Sequence, residues 1–156
     1  QVIFNILTDV FSYCLKNPQK EEKINQGRKR IDITFDNKME GGFFKELKER
    51  YNVICPIIFV ECKNYTNALE NPEFAQIEGR LNKRRGMFGI IVCREIKDKT
   101  TCLDHRRDLV RENPDAEKYV IVLSDDDIQK MIKFKVENNM VEIDKILDGK
   151  YRELIM

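Results

Sequence analysis

The stretch Ile57-Ile58-Phe59-Val60-Glu61-Cys62-Lys63 decides how this chain is read. Its β-branched and aromatic residues predict a buried strand over 55–63. Apolar strands usually finish in turn residues, whereas this one finishes in an acid and a base set two apart. Side chains alternate faces along a strand, so Glu61 and Lys63 point one way and Cys62 the other. Charges held side by side at the mouth of a buried strand need a compensating reason.

Working outward from that strand, Ile3, Leu7, Val10, Phe11 and Cys14 recur at helical spacing and predict a first helix that stops near Asn17-Pro18. A short extended segment over 20–25, a Gln26-Gly27 turn and a strand over 30–35 read together as a hairpin. In its second strand Ile31, Ile33 and Phe35 share one face, and Arg30, Asp32, Thr34 and Asp36 share the other. Gly41-Gly42 opens a short helix with Phe44, Leu47 and Tyr51 as its buried stripe.

Downstream, a polar loop over 64–71 precedes Pro72, well suited to the first position of a helix running to about residue 85. A strand over 87–93, a helix over 101–112, a strand over 119–123, a helix from Ser124 and a last helix over 141–154 follow. Strands alternating with helices predict an αβ sandwich, a central mixed β-sheet flanked by helices, as a single domain over 1–156.

A chain of 156 residues is long enough for a proper core. Its 28 Lys plus Arg and 27 Asp plus Glu nearly cancel, so a nucleic-acid partner must be argued from local clusters, not from a global basic field. The cysteines (Cys14, Cys55, Cys62, Cys93 and Cys102) are odd in number and form no Cys-x-x-Cys. They read as reduced core residues of an intracellular, cytoplasmic protein. No stretch resembles a signal peptide or approaches membrane-spanning length. The chain begins with Gln1, which suggests a domain excised from a longer, multidomain protein.

Asp32 lies on the polar face of the hairpin's second strand, and Glu61 and Lys63 lie on the next strand in sequence. If those strands pair, two carboxylates and one lysine converge within reach of one ion. Hard oxygen ligands, with positions left for water and phosphate, favour Mg²⁺. Such an ion polarises a phosphate and lowers the pKa of a bound water. Lys63 would orient that water or neutralise charge developing on phosphorus.

Asp32, a long gap, then Glu61-x-Lys63 resembles the signature of the PD-(D/E)XK nuclease superfamily. The flanks, Gly27-Arg28-Lys29-Arg30-Ile31-Asp32-Ile33 and Phe59-Val60-Glu61-Cys62-Lys63-Asn64-Tyr65, resemble its restriction-endonuclease-like branch, which includes Mrr-type restriction proteins and archaeal Holliday junction resolvases. A glutamine often follows on the next helix in that branch, and Gln76 stands in such a place. The resemblance covers roughly residues 20–94. It implies a restriction-endonuclease-like fold and Mg²⁺-dependent hydrolysis of DNA, with Mn²⁺ able to substitute, serving antiviral defence or DNA processing. It also implies Asp32, Glu61 and the backbone carbonyl of Cys62 as metal ligands, with Lys63 and Gln76 completing the catalytic set. Two departures stand out: Ile31 occupies the position of the family's usual proline, and the acid many members carry on the first helix has no marked equivalent, Asp9 and Glu22 being the candidates.

On the helix expected after the motif, Gln76, Arg80, Lys83 and Arg84 fall on a face beside the apolar stripe of Phe74, Ile77 and Leu81. With Arg28, Lys29 and Arg30 on the hairpin they would flank the ion with phosphate-positioning cations. Plainer readings stand beside these: Glu61 and Lys63 as an edge-strand ion pair, and the basic helix residues as a solvated face.

His105, the sole histidine, sits among Asp104, Arg106 and Arg107 and reads as an exposed helix residue. Asp125-Asp126-Asp127 after Ser124 reads as a helix start, not a metal site. No Walker loop, Gly-x-Gly-x-x-Gly or zinc spacing occurs. The competing functions are an inert nuclease-like module that binds nucleic acid or a partner protein, and a nuclease that cuts RNA. Cutting opposite strands usually takes two active sites, so a homodimer is compatible with the sequence.

Overall fold

In a computed structural model of the chain, residues 2–25, 28–63, 71–96, 98–111 and 117–156 are described, with side chains outside that description at 22–25, 28–31, 71–73 and 111. The predicted alternation resolves into α1 (Val2–Val10), β1 (Lys16–Asn25), β2 (Arg28–Asp36), α2 (Gly42–Glu49), β3 (Ile57–Lys63), α3 (Asn71–Glu78), β4 (Phe88–Val92), α4 (Lys99–Arg111), β5 (Tyr119–Leu123), α5 (Asp125–Val136) and α6 (Met140–Ile155).

The strands form one sheet in the order β1-β2-β3-β4-β5. The β1–β2 and β2–β3 pairs are antiparallel, whereas β3–β4 and β4–β5 are parallel. The sheet is therefore mixed, flanked by helices, as the alternation predicted. β3 is the middle strand, paired on both sides, which explains its near-continuous apolar run.

Each face of the sheet has its own core. On one side Leu7, Phe11, Phe44, Ile58, Val60 and Leu147 belong to a cluster built with α1, α2, α5 and α6. The other face carries Phe59, Phe74, Ile77, Ile91, Val120 and Val122, covered by α3 and α4. Phe44 anchors the first core through edge-on contacts with Phe11 at 5.7 Å and Phe88 at 6.1 Å. Such pairs add about 0.5–1.5 kcal/mol each beyond burial.

α2 has a glycine at its N-cap and no side-chain cap of its own. Asp144 on α6 takes that role: its Oδ1 accepts from the Phe43 N–H at 2.9 Å and from the Tyr13 hydroxyl at 2.7 Å. α5 begins as predicted, with Ser124 and Asp127 forming a reciprocal capping box. Among the described residues no helix is long and apolar enough to cross a membrane.

Three boundaries differ from the sequence reading. The first helix ends at Val10, and β1 starts at Lys16, so Pro18 lies inside a strand instead of ending a helix. β1 is an edge strand, where a missing N–H costs no ladder bond, and the register slips between Lys16 and Gln19 to accommodate Asn17 at φ 52°. Tyr51 lies just beyond α2 and is half-buried.

The third difference bears on function. α3 stops at Glu78, well short of residue 85. Gly79 follows, and Asn82 Oδ1 then collects the N–H groups of Arg84 at 3.0 Å and Arg85 at 2.8 Å, which closes a turn. Gly86 ends that turn at φ 149°, where an added Cβ would stand 2.6 Å from the Ile57 carbonyl oxygen. Only glycine fits there, and the fit seats the start of β4 against β3. The loop expected over 64–71 lies outside the described residues apart from Asn71, which begins α3.

Candidate functional site

Strand register assembles the site. Asp32 on β2 pairs directly with Glu61 on β3, and Arg30 pairs with Lys63. Directly opposed side chains in an antiparallel pair sit close together, and like charges in that position repel. Asp32 is 5% exposed and Glu61 0%, so water does little to relieve that repulsion. Two cations do so instead. Lys63 Nζ lies 3.2 Å from Glu61 Oε2, and Arg80 reaches Asp32 Oδ2 at 2.6 Å and Glu61 Oε1 at 3.5 Å.

The helix after β3 completes the arrangement. Phe74 and Ile77 hold α3 against the sheet, and an added Cβ on Gly89 would lie 2.7 Å from Ile77 Cδ1, so glycine in β4 permits that close approach. α3 thereby carries Gln76 to the sheet, where its Oε1 accepts from Lys63 Nζ at 2.8 Å. Lys63, buried to 5% exposure, is thus oriented by a carboxylate on one side and an amide on the other.

Among the described residues neither oxygen of Glu61 accepts a hydrogen bond, although both lie within ion-pair distance of a cation. A wholly buried carboxylate held by ion pairs alone keeps its lone pairs available to a ligand. For Arg80, burial alone would lower the guanidinium's pKa, but the carboxylates of Asp32, Glu61 and Glu21 together raise it. At Cys62, whose side chain packs into the opposite core, burial first and then the charges of Asp32 and Glu61 push the thiol up to about 12. Thiolate chemistry at Cys62 is therefore disfavoured near neutral pH. All five cysteines are buried and free, as a reduced core requires.

The site opens on a cavity of about 400 Å³ whose walls include Gln19, Glu21, Asp32, Thr34, Phe59 and Arg80. A larger cavity, about 660 Å³, lies where α4, α6 and the start of α5 meet. Two ion pairs lie in its wall, Lys150 with Asp127 at 3.0 Å and Lys130 with Asp126 at 3.1 Å. It brings no carboxylates from adjacent strands together, so the smaller cavity is the chemical candidate.

Asp32, Glu61, Lys63 and Gln76 converge as the sequence predicted. Cys62 pairs with Ile31 on one side and Val92 on the other, in the strand that carries both charges. Several expectations need correction. Arg80 is not part of an outward basic helix face, because α3 has ended and its side chain turns back onto the carboxylates. Lys83 and Arg84 lie in the exposed turn after α3, so no helical face aligns them with Gln76. Glu61–Lys63 is not an edge-strand pair, since β3 is central.

Arg28, Lys29 and Arg30 lie on β2, but their side chains are outside the described residues. His105 is half-buried against the Phe74 ring, 5.6 Å between centroids, not exposed. As for the additional acid, α1 packs on the core opposite the site, so Asp9, which is exposed, is on the wrong side of the sheet. Glu22 pairs with Ile31, and its side chain is outside the described residues. The acid level with Asp32 is Glu21. Arg85, also on the cavity wall, was equally missed.

Among the described residues, no group of three or more His, Cys, Asp or Glu side chains is arranged to hold a metal ion. The site instead offers the side-chain oxygens of Asp32 and Glu61, with the Cys62 carbonyl nearby in sequence. Few protein carboxylates and a solvent-connected cavity suit Mg²⁺, which keeps several of its waters. No protein-family model, no curated protein and no solved structure significantly matches this chain.

Proposed function

We propose that the protein is a metal-dependent nuclease that hydrolyses phosphodiester bonds, acting on DNA. The observation that carries this reading is the direct pairing of Asp32 with Glu61 on adjacent buried strands, with Lys63 held beside them and a cavity at their side. A purely structural role would rarely place two acids opposite one another in a sheet interior. The resemblance of Asp32…Glu61-x-Lys63 and Gln76 to the nuclease signature supports the same reading.

Asp32 and Glu61 would hold a divalent ion, Mg²⁺ or Mn²⁺, with the Cys62 carbonyl as a further oxygen ligand. When bound, such an ion supplies Lewis acidity toward phosphate and a more acidic water. The chain's own groups do the positioning. Lys63, fixed by Glu61 and Gln76, presents a rigid ammonium that offsets negative charge building up on a phosphate oxygen. Gln76 is exposed on its helix and holds Lys63 through a neutral acceptor, so it orients the ammonium without cancelling its charge.

The test is cleavage of plasmid and oligonucleotide DNA with Mg²⁺ by wild type, Lys63→Ala and Glu61→Gln. Wild-type cutting with loss of 10²-fold or more in both variants is expected; equal cutting by all three refutes the reading. RNA substrates in the same panel decide the polymer.

One observation favours the inert-module alternative. Arg80 already neutralises both acids, so the four charges could serve stability alone. Calorimetric titration with Mg²⁺ or Mn²⁺ separates the two, because an inert module gives no binding heat even with DNA present.

A further inference from the structure

Arg80 spans the two acids that the proposed metal would need. Its Nη2 lies 2.6 Å from Asp32 Oδ2, and its Nε lies 3.5 Å from Glu61 Oε1. Both carboxylates are essentially removed from water. The Arg80 side chain is only 21% exposed and lines the cavity wall. A cation that bridges two buried carboxylates occupies the region of highest negative potential between them, the same region a divalent ion would seek.

We infer that Arg80 is the site's internal counter-cation and competes with the divalent ion for Asp32 and Glu61. This inference rests on the metal reading proposed above. Formally, Asp32 and Glu61 carry two negative charges, and Lys63 and Arg80 two positive ones, so the buried set is neutral while Arg80 is docked. Replacing a docked arginine with a divalent ion turns that set into one with net charge +1. The exchange therefore moves these four groups one charge toward attracting a phosphate, and the Arg80 charge is freed at the same cavity. The length of the arginine side chain and its place in a turn after α3, outside helical constraint, allow this release without moving the sheet.

Arg85 provides a matched control. It lines the same cavity, but its guanidinium lies over the Phe59 ring at 6.0 Å, and it makes no ion pair with Asp32 or Glu61. Loss of either arginine removes one positive charge near the acids, yet only loss of Arg80 vacates their bridge.

The experiment is isothermal titration of Mn²⁺ and Mg²⁺ into wild type, Arg80→Gln, Arg80→Lys, Arg85→Gln and Asp32→Asn, with circular dichroism and thermal melting to establish folding. Arg80→Gln is expected to bind the ion at least tenfold more tightly than wild type. Arg80→Lys should fall between the two, Arg85→Gln should stay within threefold of wild type, and Asp32→Asn should abolish binding. Wild-type binding with Arg80→Gln unchanged or weaker overturns the competition, as does equal tightening by Arg85→Gln, which would mean general electrostatics. Ion binding that survives Asp32→Asn places the ion elsewhere and also overturns it. Absence of binding in every form refutes the metal reading itself, and the inference with it. If Arg80→Gln is unfolded, Arg80→Lys carries the same comparison with a smaller expected shift.

Discussion

Removing one charge from the site should cost very different amounts depending on which charge is removed. Lys63→Met keeps the aliphatic stem but leaves Glu61, 0% exposed, with Arg80 Nε at 3.5 Å as its one cation among the described residues. Breaking a buried pair typically costs about 3–5 kcal/mol, and the surviving arginine places this case near 3 kcal/mol. Glu61→Gln leaves Lys63 its bond to Gln76 at 2.8 Å and leaves Arg80 its bond to Asp32 at 2.6 Å. Its cost is therefore about 1.5 kcal/mol, in the range for losing a charged partner whose neighbours remain satisfied.

The double variant buries no unpaired charge from this couple and should cost about 2 kcal/mol, which leaves a coupling of about 2.5 kcal/mol. Urea unfolding at neutral pH with a chelator present measures all three. With a slope of about 2 kcal/mol/M, the midpoint should fall by roughly 1.5 M for Lys63→Met and 0.8 M for Glu61→Gln at unchanged slope. Glu61→Gln costing as much as Lys63→Met, or strict additivity of the two, would refute the view that Glu61 depends on its cations for all its compensation.

Gly86→Ala should destabilise the protein by about 2–3 kcal/mol, because a positive φ and a Cβ 2.6 Å from a backbone oxygen cannot both be relieved; a thermal melt within 1 °C of wild type would contradict this. Gln76→Ala removes one acceptor of the buried Lys63 ammonium but leaves it Glu61, and should cost only about 1–1.5 kcal/mol. It should nevertheless lower cleavage about 10–100-fold, as loss of an orienting partner does, and unimpaired cleavage would remove Gln76 from the site.

Burial alone would raise the Asp127 carboxyl, but the Ser124 N–H and the Lys150 ammonium together hold it below its ordinary value. A lowered folded-state pKa stabilises above the unfolded value, near 4, and that stabilisation disappears as pH falls through the folded value. Wild type should therefore exceed Asp127→Asn by about 1 kcal/mol from pH 7 to 5, with the gap closing below pH 4; a gap that widens in acid would reverse the sign of the argument.

What the sequence disclosed and what it concealed follow from whether the cause is local. β3 could be read from its own residues, since a β-branched and aromatic run ending in Glu61 and Lys63 specifies both burial and facing. The capping box of α5 was equally local, written in Ser124 and Asp127. β1 was partly hidden because Pro18 signals a break wherever the chain is short of context, and only the position of β1 at the sheet edge makes it harmless. Glu21 was within reach: the turn expected at Gln26-Gly27, residues outside those described, implies a register of Asn25 with Arg28, and counting back along it puts Glu21 opposite Asp32, as observed.

Arg80 was not readable from spacing, because its role depends on where α3 ends. A helix continued to about residue 85 would have set Arg80 on the face shared with Lys83 and Arg84. Termination at Glu78, followed by Gly79 and the Asn82 turn, sends it across the sheet instead. One helix boundary thus separates a residue that would track a phosphate backbone from one that guards a pair of carboxylates. The uncertainty of a few residues inherent in any helix end falls here on the position that matters most.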